Sequence, residues 1–305
     1  MAELGLSVEA LDRLLVETSR TFALAIPLLA EPTRRTVSIA YLLFRVADTL
    51  EDAETWPRSQ RAQELEHFAA LLRGEGSAAE AVARWQANPP SKHEGYLRLL
   101  ALTPALLHSF EQLGSVTEIV REHTLKTTLG MRDVLLQRAD ADSRRTVRLQ
   151  SLEELRQYCY TVAGIVGELL TDIFVHDAPG LQREKAALRT EERLFGEGLQ
   201  LVNILKDEAD DASEDRVFIP AGVEKSTLFA LARADLEAAA RYVEALERGS
   251  APAGMRAFTG LPLDLARDAL DAIESRGAGT KVTRERVLEL FGRYRALADS
   301  DSVSA

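Results

Sequence analysis

The chain has 305 residues, 46% of them apolar and 28% charged, with a formal net charge of −11. This length and apolar content support a sizeable buried core, while the negative charge and the lack of a basic run argue against a nucleic-acid binder. A single cysteine, Cys159, excludes an intramolecular disulfide and fits a reducing compartment. The N-terminus shows no signal-peptide pattern, and no apolar run is long enough to cross a bilayer. The expectation is a soluble, cytoplasmic protein, with peripheral membrane contact left open.

Helical periodicity dominates, and no segment alternates like a strand. Ser7 is placed to cap a first helix reaching about Thr18, and Pro32 to start a second that runs through Tyr41 and Arg45 to Asp48. That second segment is apolar nearly all round, so it belongs inside the protein. Pro57 opens a third helix to about Arg73. Residues 74–93, with Gly74, Gly76, Pro89 and Pro90, read as an irregular connection around a short helix. Helices are then expected near 103–113, 115–139, 151–175, 182–212, 226–247, 262–274 and 283–297. The stretch 138–148 reads as a charged connection, its Arg144, Arg145 and Arg148 either a solvated turn or a phosphate-facing flap. A tail of about 299–305 is expected to be disordered. With no repeat or clear linker, one all-α domain over 1–305 is the simplest reading.

Two acidic clusters stand out, each closing a long apolar helix. The first runs Asp48-Thr49-Leu50-Glu51-Asp52 and the second Asp207-Glu208-Ala209-Asp210-Asp211. A helix C-terminus carries partial negative charge, so carboxylates there are disfavoured without a compensating cation. Spacing of three and four puts Asp48, Glu51 and Asp52 on one face, with Arg45 a turn earlier. Asn203, Asp207 and Asp211 form a row at i, i+4 and i+8 on a helix read as core-facing, where Gln200 and Asn203 need partners. Glu208, Glu214 and Asp215 fall off that row and are expected to face solvent. Either cluster alone is more often a solvated face; two together point to a shared site for Mg²⁺, whose ligands are hard oxygens and substrate phosphates. No glycine-rich phosphate loop of the Walker type is present.

These elements resemble, in order, those of the squalene/phytoene synthase family of head-to-head prenyl transferases. Ser19-Arg20-Thr21-Phe22 is similar to its N-terminal element, and Tyr41 to Asp52 to its first aspartate-rich motif. Tyr158 to Gly167 resembles its central tyrosine-bearing helix, Gln200 to Asp211 its second aspartate-rich motif, and Arg216-Val217-Phe218-Ile219-Pro220 its closing element. The resemblance implies an isoprenoid-synthase fold around a central prenyl-binding cavity. It implies Mg²⁺ on Asp48, Glu51, Asp52, Asp207 and Asp211, and diphosphate on Ser19, Arg20, Arg45 and Arg216. Gln200 and Asn203 would position substrate and metal, Phe22 would line the substrate wall, and Tyr41 and Tyr158 would face the reacting carbons.

The implied reaction joins two farnesyl diphosphates into presqualene diphosphate and then squalene. Lys281 resembles a basic element near the phosphates of NADPH, a cofactor the sequence leaves open. Asp-Thr-Leu-Glu-Asp resembles the squalene synthase variant of the first motif. Asp210-Asp211 through Pro220 looks more like the bacterial carotenoid branch, which keeps phytoene or dehydrosqualene synthase, with geranylgeranyl diphosphate as a substrate, as the alternative. A terpene cyclase or a non-catalytic assembly protein of the same fold are the remaining rivals. Lys206 and Asp210 stand where the family usually has Arg and Glu. Gly164 and Gly167 are expected to allow close approach of a helix or a prenyl tail, and Cys159 to be a buried filler.

Overall fold

The computed structural model describes residues 5–19, 21–53, 55–136, 147–213 and 216–300. Helices carry the architecture, in two compact units: residues 1–23 with 35–147, and residues 24–34 with 148–305.

In the first unit, α1 (Val8–Thr18) begins at Ser7, whose hydroxyl accepts from Ala10 N–H, the capping that the sequence marks. A four-residue turn of helix, α2 (Phe22–Ala25), follows and runs past the unit's edge at Ala23. Most of α3 (Thr33–Glu51) lies here, burying Leu42, Leu43, Val46, Ala47 and Leu50. Helices α4 (Arg58–Leu72), α5 (Ala78–Ala87), α6 (Glu94–Ala101), α7 (Thr103–Glu111) and α8 (Thr117–Leu136) complete it. α4 packs along α8, and α1 along α6. The connection expected at 74–93 holds α5, as read, and α6 begins directly after it. α5 is pinned to α4 by Glu64, whose carboxylate accepts from Arg84 at 3.0 and 3.1 Å and from the Trp85 indole at 3.0 Å.

In the second unit, α9 (Leu152–Cys159) passes through one π-helical turn, Tyr160–Gly164, into α10 (Ile165–Asp177). The 29-residue α11 (Lys185–Ser213) packs against α10 and α12 (Lys225–Arg248), and α13 (Ala253–Arg276) packs on α12 and α14 (Arg284–Asp299). Two-residue strands β1 (Val147–Arg148) and β2 (Arg216–Val217) pair, and Leu149 N–H donates to Val217 O at 3.0 Å. The helix expected near 262–274 instead begins at Ala253, with Pro262 inside it. Phe258 to Leu263 are all buried, and packing of that stretch outweighs the roughly 3 kcal/mol an interior proline costs. Residues 137–146 and 301–305, which include most of the charged connection and of the expected tail, lie outside the described residues.

The run Leu152–Asp177 is long and apolar enough, by length and composition alone, to cross a membrane, contrary to the expectation from sequence. Its most apolar window is 61% buried inside the protein, as befits a core helix. Gly167 explains how closely it packs: a Cβ there would lie 1.8 Å from Glu192 O on α11. Main chain meets main chain, which is the helix-packing role open to this glycine. At the N-terminal end of the same run, Arg156 ties α9 to two other helices, bridging Glu197 on α11 at 3.0 Å and Asp235 on α12. Cys159, beside this cluster, is buried, and its thiol pKa is pushed up chiefly by that burial. The thiol is therefore unreactive, as a filler should be.

Gly167→Ala is expected to lower unfolding stability by about 3 kcal/mol, read as a reduced urea midpoint at unchanged m-value; an unchanged midpoint would contradict the backbone contact. A second expectation concerns pH. Asp235 is raised to about 6, chiefly by burial, with Arg156 opposing and Glu197 reinforcing. The folded state thus holds this proton more tightly than the unfolded chain, and the penalty for ionising it grows from about pH 4 to about pH 6. Asp235→Asn removes that dependence. Its stability relative to the wild type should therefore rise between pH 4.5 and 7 by on the order of 2 kcal/mol, measured by denaturant titration at each pH.

Candidate functional site

Burying one face of α3 leaves an accessible stripe of Tyr41, Arg45 and Asp48, continued by Asp52 just past the helix end. Arg45 organises it. One guanidinium nitrogen lies 3.3 Å from the Asp48 carboxylate, and the other donates to the Tyr41 hydroxyl at 2.9 Å. That hydroxyl in turn faces Thr18 O at 3.4 Å, and the Tyr41 ring lies 5.4 Å from Phe22. Ser19 Oγ accepts from Phe22 N–H at 3.0 Å, fixing the start of α2 and leaving the hydroxyl proton free to donate elsewhere. Asp48 is raised to about 6, first by desolvation and further by Asp52, against the lowering pull of Arg45. A carboxyl in that condition gains from any cation that approaches it.

Glu51 departs from expectation. It does not share the accessible face with Asp48 and Asp52; it is 5% exposed. Three residues past Asp48 the helix has turned about 300°, and on a helix packed round most of its circumference that carries Glu51 beneath the surface. The sequence reading also missed Arg61. This residue on α4 is 1% exposed and donates to Trp56 O at 3.0 Å and Glu51 O at 3.3 Å. A buried cation therefore already sits at the C-terminal end of α3, where the helix dipole favours one. Nothing in the spacing of Arg61 marks that role, because its partners are main-chain carbonyls.

The second row lies on the accessible side of α11. Leu201, Val202, Ile204 and Leu205 take the buried face. Gln200 is therefore half-buried and Asn203 exposed, not core-facing as the sequence implied. Asn203 Oδ1 accepts from Lys206 Nζ at 3.0 Å, and Lys206 also pairs with Asp207 at 3.2 Å. Arg216 donates twice to Asp211 Oδ1, at 3.0 and 3.2 Å. Glu208, expected to face solvent, is half-buried and pairs with Lys225 at 2.7 Å. Glu208, Asp211, Arg216, Phe218 and Lys225 line a cavity of ≈ 320 Å³ between the end of α11 and the segment that follows it.

Tyr158 is 7% exposed, and its ring stacks on Phe218 at 4.8 Å. Two residues later the helix widens into the π-turn, a device common at functional sites. Sequence periodicity carries no signal for such a turn. Lys281 is exposed on a loop held to α11 by a hydrogen bond from Gly279 N–H to Lys206 O at 2.8 Å. This places its loop beside the second acidic row. Arg20, Glu214 and Asp215 lie outside the described residues.

Among the described residues, no three His, Cys, Asp or Glu side chains converge as a ready-made metal cage. The donors present are carboxylate oxygens in pairs, each beside an arginine. That set fits Mg²⁺, which takes one or two carboxylates and completes its octahedron with water and phosphate oxygens. It does not fit a soft metal held by the protein alone.

Comparison with known proteins identifies the family and the fold. The squalene/phytoene synthase family model matches residues 15–227. The chain is 29% identical over 212 residues to a squalene synthase of Eremothecium gossypii, covering 68% of this chain and 45% of that one. It is 30% identical over 222 residues to one of Candida albicans, covering 72% and 45%. The chain thus spans less than half the length of these two relatives. Among solved structures, TcSQS in complex with a ligand superposes with a TM-score of 0.74 at 22% identity, covering 98% of this chain and 90% of that one. A dehydrosqualene synthase in complex with ligand gives 0.60 at 19%, covering 96% of both. These likenesses show the all-α isoprenoid-synthase fold. Together with a family match running from the end of α1 to the start of α12, they show that this chain belongs to the squalene/phytoene synthase family.

Proposed function

We propose that this chain is a Mg²⁺-dependent prenyltransferase, a single synthase-like domain that condenses two farnesyl diphosphates head to head into presqualene diphosphate and carries that product on to squalene. The observation that carries the reading is the accessible stripe of α3, where Arg45 presents donors next to Asp48 and Asp52. Two guanidinium-bearing groups, Arg45 and Arg216, suit the planar, bidentate recognition of phosphate oxygens, and Ser19 adds a hydroxyl donor. Held by Asp48 with Asp52, and by Asp207 with Asp211, Mg²⁺ ions would neutralise a departing diphosphate. Glu51, being buried, is not counted in this set.

The protein's own part is to bind, orient and shield. Phe22 and Tyr41 form an aromatic pair beside Arg45, and ring faces of this kind stabilise an allylic cation where water is excluded. Tyr158, fixed against Phe218, is the candidate for proton transfer at the reacting carbons. Lys281 is the candidate for the phosphates of NADPH, and the basic loop held at Lys206 suits an anionic partner. The names of the curated relatives and the Asp-Thr-Leu-Glu-Asp motif favour squalene as product. The segment from Asp210 to Pro220 favours the carotenoid branch, so dehydrosqualene or phytoene synthase is the second reading. Retention of both acidic rows counts against a non-catalytic role.

Asp48→Ala and Asp207→Ala should each lower Mg²⁺-dependent diphosphate release by at least about 100-fold, with helicity by circular dichroism unchanged. Wild-type turnover in both variants would remove the site assignment. With farnesyl diphosphate and Mg²⁺, the expected product is presqualene diphosphate without NADPH and squalene with it. Dehydrosqualene from the same mixture, or phytoene from geranylgeranyl diphosphate, would move the protein to the second reading.

A further inference from the structure

Arg45 is held by fewer acceptors than its donors require. Its terminal nitrogens reach Asp48 and the Tyr41 hydroxyl, while Nε is buried and makes no hydrogen bond among the described residues. What holds the guanidinium in place instead is a pair of aromatic faces. Its carbon lies 5.5 Å from the centre of the Tyr41 ring, one turn back on α3, and 5.8 Å from that of Tyr96, on α6. Tyr96 is remote in sequence from every motif that marks the site.

The placement of Tyr96 is built with care. α6 lies so close to α1 that a Cβ at Gly95 would sit 2.6 Å from Glu17 O. The Arg98–Glu17 ion pair closes the same junction. Glu17 directly precedes Thr18, whose carbonyl faces the Tyr41 hydroxyl. At the N-cap of α6, His93 accepts from Tyr96 N–H at 3.4 Å and lays its ring 4.3 Å from that of Tyr96. The backbone at Gly95 and the ring at His93 thus fix where the Tyr96 face points. An arginine on a flexible stem loses rotamer freedom when it grips an anion. Confining it in advance between rings removes much of that cost and leaves its N–H edges available.

We propose that Tyr96 is a positioning residue for Arg45: with Tyr41 it presets the guanidinium to receive a diphosphate oxygen. The proposal rests on the diphosphate reading of Arg45 and adds to it a residue from outside the motifs. Its role is the ring face, not the hydroxyl, and it acts only through Arg45.

The test titrates the full chain with inorganic pyrophosphate in the presence of Mg²⁺, and measures KM and kcat for farnesyl diphosphate. Tyr96→Leu should weaken pyrophosphate binding and raise KM by about 3- to 10-fold, with kcat within about twofold. Tyr96→Phe, which keeps the face, should stay within about twofold of wild type on both. In an Arg45→Ala background, Tyr96→Leu should add nothing, because the two act as a unit. If Tyr96→Leu does not fold, Tyr96→Met replaces it in every arm. Unchanged binding in Tyr96→Leu alongside weakened binding in Arg45→Ala overturns the inference and leaves the diphosphate reading standing. So does an effect of Tyr96→Leu that persists in full without Arg45. Unchanged binding in Arg45→Ala overturns the diphosphate reading itself.

Discussion

Carboxylates gathered at the C-terminal end of a helix oppose both its dipole and one another. In α3 this conflict shapes everything around it. Arg61 sits buried against the Glu51 and Trp56 carbonyls and offsets the dipole from beneath. Arg45 offsets Asp48 from the exposed side. Burial and the nearby Asp52 still hold the Asp48 carboxyl up at about 6. The protein thus balances its own helix end and leaves a residual demand for positive charge on the surface that faces out. A fold that merely needed stability would place a neutral residue at Asp48.

The end of α11 resolves the same conflict differently. Here the compensating cations come from the segment that follows the helix: Arg216 on Asp211 and Lys225 on Glu208. Chain that turns back on its own helix can deliver charge without a partner helix, and both ion pairs line the cavity there. Such pairs are exchangeable. On the proposed reading, a phosphate would compete with Asp211 for Arg216.

Within the second unit, rigidity comes from close main-chain packing and buried polar ties. Gly167 brings α10 onto α11, and Arg156 links α9 to α11 and α12. The π-turn at Tyr160–Gly164 lies between those two fixed points and begins two residues after Tyr158. A helix anchored on both sides of a widened turn holds its preceding residues at a set angle, and the ring of Phe218 completes that support.

Much of this protein was legible in its residues. Helix after helix follows from 3.6-residue periodicity with Ser7, Pro32 and Pro57 at their starts. The two acidic rows, with Arg45, declare themselves by type and spacing, while Tyr41 and Arg216 stand out only through the resemblance to the family's motifs. What spacing could not do was assign a side chain to the inside or the outside of a helix that is apolar nearly all round. Glu51 went inward and Asn203 outward because packing, not local pattern, chooses which arc of the helix is covered. Pro262 sits within α13 for the same reason: burial of its neighbours outweighs its local preference. Arg61 and Tyr96 were invisible for a different cause. Arg61 meets the main-chain carbonyls of Trp56 and Glu51, which carry no residue code, and Tyr96 meets the plane of a guanidinium remote in sequence. Composition and periodicity determine the elements and the charges they carry; only tertiary packing decides which of those charges stay in contact with water.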